Sequence, residues 1–418
     1  MSEAVLLEKR ARQWLERFDE ADRPNAAKLL ALVKLVPGDH LREEITTLLA
    51  RRLADGETPV ALFNESERRM WKGRPNRLFK EETRANGKGV GLKTTRAEGR
   101  AGPVLVPRQR NVDEKIGSEG VMANILTQFQ KGRSKGVFLN PGPDTFRNNH
   151  IRRFILVTDF IGSGQRAATY LDSAWRNASV RSWWSRRSAG GLSFEVVAYA
   201  GTAEGITRLK RHPCQPEVHV VARCPTLRTI FPPSTAAVME ELCERYAETG
   251  TEPLGFGKTG ALLAFDHGMP NNAPAVFWKP VRKGLPLFPG RTTVSNGSPF
   301  RVVTEEVREQ ERLQLAARLA EIGRPVPPID VETIVLSALR RSPRHDEALS
   351  GRLGLTIEQV GEALEGLRRW GAIDANRQLT ERGRLAIKRL AKSEREVALP
   401  KRATELYFPE SLRMPRDF

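Results

Sequence analysis

The sequence contains little cysteine, and this scarcity excludes several architectures. Its three cysteines, Cys214, Cys224 and Cys243, form no C-x-x-C pair, so neither a disulfide framework nor a structural zinc site is expected. The histidines lie far apart and show no metal-ligand spacing. The sequence therefore predicts no site for a tightly bound transition metal.

Long hydrophobic runs are also missing. No apolar stretch approaches the ~18 residues that span a bilayer, and Met1–Val5 lacks the basic-then-apolar pattern of a signal peptide. We therefore expect a cytoplasmic protein. With 418 residues, of which 39% are hydrophobic, the chain has enough apolar mass for real cores, and its length predicts two to four domains.

Acidic residues are outnumbered, and the formal net charge is +18. The excess is spread along the chain; residues 72–111, for example, hold eleven basic and three acidic residues. This distribution favours a basic folded surface over a disordered basic arm. Such a surface indicates a polyanionic partner, most often nucleic acid. An acidic protein partner or a basic surface that is simply solvated is also consistent with the net charge.

The first 72 residues have a helical pattern. Leu6, Trp14, Leu15 and Phe18 recur at helix-like spacings, which predicts an N-terminal helical bundle over residues 1–72. The following stretch, residues 73–102, is rich in Gly, Arg and Lys and poor in apolar residues. We interpret it as a basic linker or loop.

The middle of the chain, residues 103–322, has the rhythm of an α/β domain. Short apolar runs alternate with longer stretches that permit helices, which predicts a parallel sheet with helices on both faces. The predicted strands are Val104–Val106, Val137–Leu139, Phe154–Val157, Glu195–Tyr199 and Val218–Val221.

The most informative segment runs from Phe154 to Arg166. An apolar strand ends in an acidic residue, Asp159, passes through the turn Gly162-Ser163-Gly164 and enters a helix at Gln165. Glycines permit close approach of a phosphate, and free N–H groups at the helix start point at it. Asp159 can accept hydrogen bonds from two ribose hydroxyls or help to hold Mg²⁺. The alternative is a strand-to-helix turn that binds no ligand.

This segment resembles the phosphoribosyl pyrophosphate signature of type I phosphoribosyltransferases. The resemblance implies an α/β core that binds a phosphoribosyl or nucleotide ligand with Mg²⁺. It also implies a pyrophosphate loop after an earlier strand, for which the candidates are Arg108 and Arg110. Thr158 stands where the family has its first acidic residue, so the sequence leaves open whether the core is a transferase, a hydrolase or only a binding module.

A second block, residues 254–278, predicts two apolar strands joined by a turn at Pro270-Asn271-Asn272. Together with Trp14…Phe18-Asp19 and Leu406…Arg413, it resembles the phosphoribosyltransferase-like effector proteins of bacterial retron and anti-phage loci. This resemblance adds a candidate catalytic histidine, His267, and three pocket residues, which are Lys258, Asn271 and Asn272. The alternatives are a hydrogen-bonding wall role for His267 and purely structural turn chemistry for the asparagines.

The carboxyl-terminal part, residues 329–392, is predicted to be a winged helix followed by a tail over 393–418. The pattern gives three helices, the last starting at a Thr356 N-cap, then a short ribbon as the wing. Acidic residues crowd the start of the third helix, so phosphate contacts are assigned elsewhere; protein binding is the alternative. The candidate nucleic-acid contacts are Arg368, Arg369, Arg377, Arg382 and Arg384.

The segment from Arg181 to Arg187 mixes Trp183 and Trp184 with arginines. Aromatic rings beside Arg stack on unpaired bases, so Arg186 and Arg187 are further candidates. Packing of both rings under the sheet explains the pattern equally well.

Three functions fit these features. The first is a toxin-like effector of an anti-phage or retron system, whose core binds a phosphoribosyl or nucleotide ligand. Its basic surface would bind nucleic acid, such as an RNA–DNA hybrid, or a reverse-transcriptase complex. The second is a winged-helix transcriptional regulator with an inactive ligand-sensing core. The third, a housekeeping phosphoribosyltransferase, fits least well because of Thr158 and the extra domains.

Overall fold

The structure is a computed structural model that describes residues 10–54, 58–85, 93–105, 117–133, 136–280, 286–291, 331–340, 342–353 and 355–387. In chain order the strands are β1 (Lys34–Val36), β2 (Val60–Asn64), β3 (Met70–Trp71), β4 (Arg74–Pro75), β5 (Glu81–Ala85), β6 (Lys93–Ala97), β7 (Val137–Leu139), β8 (Arg153–Ile161), β9 (Ser193–Gly201), β10 (Glu217–Arg223) and β11 (Leu263–Phe265).

The helices follow the same numbering. They are α1 (Arg23–Ala31), α2 (Gly38–Arg52), α3 (Ser118–Lys131), α4 (Pro143–Asn148), α5 (Gln165–Trp175), α6 (Ala178–Ser185), α7 (Ala203–Lys210), α8 (Leu227–Ile230), α9 (Pro233–Arg245), α10 (Val331–Ala338), α11 (Asp346–Leu353) and α12 (Ile357–Arg369). Residues 10–15 and 381–387 are also helical. Among the helices of the described ranges, none is long and apolar enough to cross a membrane.

A five-stranded parallel sheet in the order β10-β9-β8-β2-β7 organises the core. Because side chains alternate along a strand, β8 sends Phe154 and Leu156 to one face and Ile155 and Val157 to the other. Helices α5 and α6 cover the first face, and α2 and α3 cover the second. The predicted parallel sheet with helices on both faces is confirmed, and its last four predicted strands are β7 to β10.

The amino-terminal region departs from the predicted helical bundle. Its helices form, but Val60–Asn64 is strand β2, which pairs between β8 and β7 inside the sheet. The four apolar residues Val60 to Phe63 are all buried, as a central parallel strand requires. The region up to residue 72 is therefore built into the α/β core.

A third apolar cluster joins the start of the chain to residues 227–288. The Trp14 ring is fully buried, stacks on Phe277 with centroids 5.4 Å apart, and donates from Nε1 to the Val276 carbonyl at 2.8 Å. Nearby, β1 pairs in parallel with β11. The second strand predicted within residues 254–278 is wrong, because Ala275–Phe277 forms a 3₁₀ turn.

The predicted basic linker over residues 73–102 contains ordered strands. Glu81–Ala85 pairs antiparallel with Lys93–Ala97, and the short strands β3 and β4 pair just before them. The strand predicted at Val104–Val106 is wrong for Val104 and Leu105, which are irregular. Instead, the Leu105 carbonyl accepts a hydrogen bond from Asn64 Nδ2 at 2.8 Å.

The described residues fall into two units, the first of which contains those up to 291 together with 343–361. Within it, α11 packs beside β10, at one end of the sheet. The Arg223 N–H donates to Ser350 Oγ at 2.9 Å, and Thr356 forms an antiparallel bridge with Ala222. Thr356 also caps α12 as predicted, because its Oγ1 accepts from the Gln359 N–H at 3.1 Å.

The second unit holds residues 331–340, 342 and 362–387 of the described chain. Its buried residues come from α10 and the adjoining Leu339, from the second half of α12 and from the segment that follows α12. Ile373 and Leu379 bridge as an antiparallel pair and form the ribbon that the sequence predicted as a wing.

Candidate functional site

A glycine loop connects the carboxyl end of β8 to the start of α5. Gly164 adopts a left-handed conformation with φ of +71°, and a Cβ on Gly162 would overlap the Asn272 side chain. Thr202 fixes the loop from the neighbouring strand end, since its Oγ1 donates to the Gly162 carbonyl at 2.6 Å. Both glycines are therefore required by the local geometry.

Ser163 is the half-buried residue at the crest of this loop. Its Oγ accepts from the Gln165 N–H at 3.3 Å. Gly257, in the 3₁₀ turn Phe256–Lys258, lies against Ser163. The predicted pocket residue Lys258 is exposed in the same turn, so the structure brings this turn next to the predicted phosphate loop.

Asp159 and His267, predicted as catalytic residues, are hydrogen-bonded partners. His267 Nε2 lies 2.9 Å from Asp159 Oδ2, and the His267 ring stacks on Phe265 with centroids 5.0 Å apart. Burial would raise the pKa of Asp159, but the hydrogen bond and charge of His267, together with Arg166, hold that pKa below its usual value. Asp159 is therefore an ionised carboxylate at neutral pH.

A second carboxylate, Glu65, lies beside Thr158. The strand register aligns Asn64 with Val157, which places Glu65, the residue after β2, next to Thr158. The Thr158 hydroxyl donates to Glu65 Oε2 at 2.6 Å. Two carboxylates thus meet at this sheet edge, although Thr158 replaces the first acid of the motif.

Arg166, in the first turn of α5, balances this negative charge. Its Nε lies 3.1 Å from Glu65 Oε1, and one terminal nitrogen lies 3.3 Å from Glu119 Oε1. Burial raises the pKa of Glu65 despite the opposing effects of Arg166 and Thr158. Burial would lower the pKa of Arg166, but the charges of Glu65, Asp159 and Glu119 raise it.

Sequence reasoning missed Glu65, Glu119 and Arg166 as members of this cluster. The short apolar run Val60–Phe63 could have indicated a strand that ends just before Glu65. We instead interpreted it as part of a helical region over the first 72 residues. Glu119 offered no signal, because only the packing of α3 beside the sheet brings it to Arg166.

The two predicted asparagines occupy different environments. Asn272 is buried and donates from Nδ2 to the Phe256 carbonyl at 2.8 Å and to Thr259 Oγ1 at 3.1 Å. Asn271 is exposed, and its backbone carbonyl accepts from the Phe256 N–H at 2.8 Å. Asn272 thus packs against Gly162 of the glycine loop and binds the neighbouring turn Phe256–Lys258. Arg108 and Arg110 lie outside the described residues.

The carboxyl-terminal arginines have mixed surroundings. Arg368, Arg369, Arg382 and Arg384 are exposed, whereas Arg377 is half-buried with φ of +58°. Acidic side chains line the start of α12, where Glu358 forms an ion pair with Arg51 at 2.7 Å. This helix start is therefore poorly suited to approach phosphates.

Trp183 and Trp184 pack against the core, as the alternative interpretation of residues 181–187 predicts. Trp183 stacks on Phe146 with centroids 5.5 Å apart, and Trp184 Nε1 donates to the Cys214 carbonyl at 2.8 Å. Arg187 lies over the Trp184 ring at 3.6 Å, and Arg186 is exposed. These two rings are thus largely engaged within the molecule.

One further group has the ligand types of a metal site. Carboxylate and imidazole atoms of Glu195, Glu217 and His219 lie within 4.8 Å of one another. Two arginines already bind the same carboxylates, since Arg153 Nε lies 2.7 Å from Glu195 and Arg52 lies 3.1 Å from Glu217. This group is an ion-pair cluster, and it lies near the amino ends of the strands, away from the glycine loop.

The parallel sheet, the glycine loop at the end of β8 and the paired carboxylates define a phosphoribosyltransferase-like core. A family model described as PRTase-CE matches residues 11–289, which is more than half of the chain. The chain belongs to this PRTase-CE family. A second model, described as wHTH-PRTase associated, matches residues 333–414 and identifies a carboxyl-terminal winged-helix region. A search of curated proteins finds no match to the chain.

Proposed function

We propose that the core binds a phosphoribosyl pyrophosphate-like ligand together with Mg²⁺. The observation that carries this proposal is the glycine loop, which is locked in place at a helix start beside two buried carboxylates. The N–H groups at the start of α5 would receive a phosphate. Asp159 would accept hydrogen bonds from ribose hydroxyls.

The residues at the sheet edge fit a magnesium ion in their chemistry. Mg²⁺ prefers oxygen ligands and commonly uses one or two carboxylates plus substrate phosphates. Asp159 and Glu65 would supply those carboxylates, and the ion would offset the charge of the pyrophosphate. Arg166 now offsets part of the same negative charge, and His267 is hydrogen-bonded to Asp159, so ligand binding would reorganise these contacts.

A calorimetric titration tests the proposal. Phosphoribosyl pyrophosphate with Mg²⁺ is expected to bind the wild type saturably, and Ser163→Asp is expected to weaken binding at least about tenfold, because a carboxylate would then face the phosphate. Ser182→Asp is the matched control, since Ser182 is exposed on α6, away from the loop. Absence of saturable binding to the wild type, or equal binding by Ser163→Asp, would contradict the proposal.

We further propose that the protein is a toxin-like effector of a bacterial anti-phage or retron system. Support comes from the membership of the core in the PRTase-CE family, the winged-helix region and the net charge of +18. The basic surface would bind nucleic acid or a reverse-transcriptase complex. The acidic start of α12 gives no support to an operator-reading regulator.

Expression in bacterial cells tests the effector role. If the ligand site drives toxicity, Asp159→Ala and Ser163→Asp should restore growth to the level of uninduced cells, while Ser182→Asp should remain as toxic as the parent. The variants must be present at equal protein levels by immunoblot. If both site variants remained toxic, the toxic activity would not depend on the glycine loop, and this part of the proposal would be wrong.

A further inference from the structure

A short antiparallel ribbon projects a tryptophan from the core. Strands β3 and β4 pair Met70 with Pro75 and Trp71 with Arg74, and Lys72 and Gly73 form the tip with positive φ angles. Trp71 is 69% exposed and Met70 is 55% exposed. We call residues 69–75 the Trp71 ribbon.

The ribbon and its flanks carry charge of one sign. Residues 68–80 contain six basic and no acidic residues. Two of the six contact residues outside the ribbon, since Arg77 forms an ion pair with Glu81 at 2.9 Å and Arg68 lies over the Tyr170 ring at 5.5 Å. Within the described part of the chain, no carboxylate forms an ion pair with the other four, which are exposed: Arg69, Lys72, Arg74 and Lys80.

The base of the ribbon is anchored, so its tip is presented in a fixed place. The Leu78 N–H donates to the Ser173 carbonyl at 2.9 Å, and the Arg176 guanidinium donates to the Pro75 carbonyl. Ser173 lies in the last turn of α5, and Arg176 follows that helix directly. In contrast, the Trp71 ring is mostly exposed, and Lys72 Nζ lies 6.0 Å from its centroid.

We propose that the Trp71 ribbon binds a single-stranded nucleic acid. An unpaired base would stack on the indole of Trp71, and the neighbouring cations Arg69, Lys72 and Arg74 would contact its phosphates. Aromatic rings set in a positive surface are the usual platform for unpaired strands. A base inside a duplex offers no free face for such stacking.

A protein partner fits this surface less well. Lysine is depleted in protein–protein interfaces, which rely on a mainly apolar centre. Here two apolar side chains stand among four exposed cations, so the complementary surface must be strongly anionic and must also present flat apolar rings. Nucleotides satisfy both requirements. This proposal does not depend on the ligand assigned to the glycine loop.

Fluorescence anisotropy with labelled oligonucleotides tests the proposal. The probes are a 20-nucleotide oligothymidylate, a 20-nucleotide oligouridylate and a duplex of the same length. Trp71→Ala should weaken single-strand binding about tenfold, and Trp71→Phe should retain most of the affinity. Arg74→Gln should reduce the slope of log affinity against log salt by about one.

The matched control is Val238→Ala. Val238 is also an exposed apolar residue, at 46%, and it lies on α9, which carries no candidate nucleic-acid contact. Val238→Ala should change single-strand affinity less than twofold, and the thermal midpoint of Trp71→Ala should equal that of the wild type. Unchanged oligonucleotide binding by Trp71→Ala, an equal loss in Val238→Ala, or tighter binding of the duplex than of the single strands would overturn the proposal.

Discussion

Replacing Glu195 with glutamine is expected to lower the free energy of unfolding by about 3 kcal/mol. The Glu195 side chain is 4% exposed and binds two guanidinium groups, with Arg153 Nε at 2.7 Å and an Arg52 terminal nitrogen at 3.1 Å. A neutral amide would leave both cations without their shared anion. Urea unfolding at neutral pH measures the change.

Glu217→Gln is the matched control for this prediction. Glu217 contacts the same Arg52 at 3.1 Å but is 67% exposed, so its loss should cost under about 1 kcal/mol. Equal effects of the two variants would show that burial does not set the strength of the cluster.

The Glu195 effect should also depend on pH. Burial would raise the pKa of Glu195. Arg153 and Arg52 lower this pKa below its usual value through their hydrogen bonds and their charges. A carboxyl group whose pKa is lowered on folding stabilises the folded state above its unfolded pKa of about 4.3. This stabilisation is lost as the pH falls. The difference between wild type and Glu195→Gln should therefore shrink below pH 4.

The second large effect is expected from Asp159→Asn, which should raise the dissociation constant for phosphoribosyl pyrophosphate with Mg²⁺ about a hundredfold. Two hydrogen bonds to a charged acceptor are worth about 3 kcal/mol together, and 1.4 kcal/mol corresponds to tenfold in affinity. Calorimetry measures it directly. Because the pKa of Asp159 is lowered, protonation of this group should not weaken wild-type binding between pH 8 and 5.

Asp172→Asn controls for loss of a carboxylate near the same helix. Asp172 lies on α5, is 52% exposed and contacts His212 at 3.1 Å. It should bind the ligand as tightly as the wild type does. A less than threefold effect of Asp159→Asn would remove this carboxylate from the proposed site.

The parts of the fold that local pattern determines could be predicted from sequence. The apolar runs that became β7 to β10 are continuous because both faces of the sheet are covered. The Thr356 cap and the Ile373–Leu379 ribbon likewise follow from residues close together in the chain. The glycine loop was recognisable for the same reason, since all of its essential residues are neighbours.

The parts that depend on distant packing could not be predicted. Glu65 reaches the site only because β2 pairs with β8. In the sequence, Glu65 and Thr158 are 93 residues apart. The bond between Asp159 and His267 spans 108 residues, and only the separate motifs hinted at it. The helical reading of the first 72 residues failed because a strand of five residues has too little periodicity to stand out among helices.

The position of residues 343–361 bears on how this protein can be divided. The match to the winged-helix family begins at residue 333, yet Ser350 and Thr356 bind the backbone of β10, the last strand of the core sheet. An uncovered edge strand recruits strands from other molecules. A fragment cut at the family boundary would therefore retain every residue of the glycine loop and still be prone to self-association, so the two family regions are best expressed as one piece.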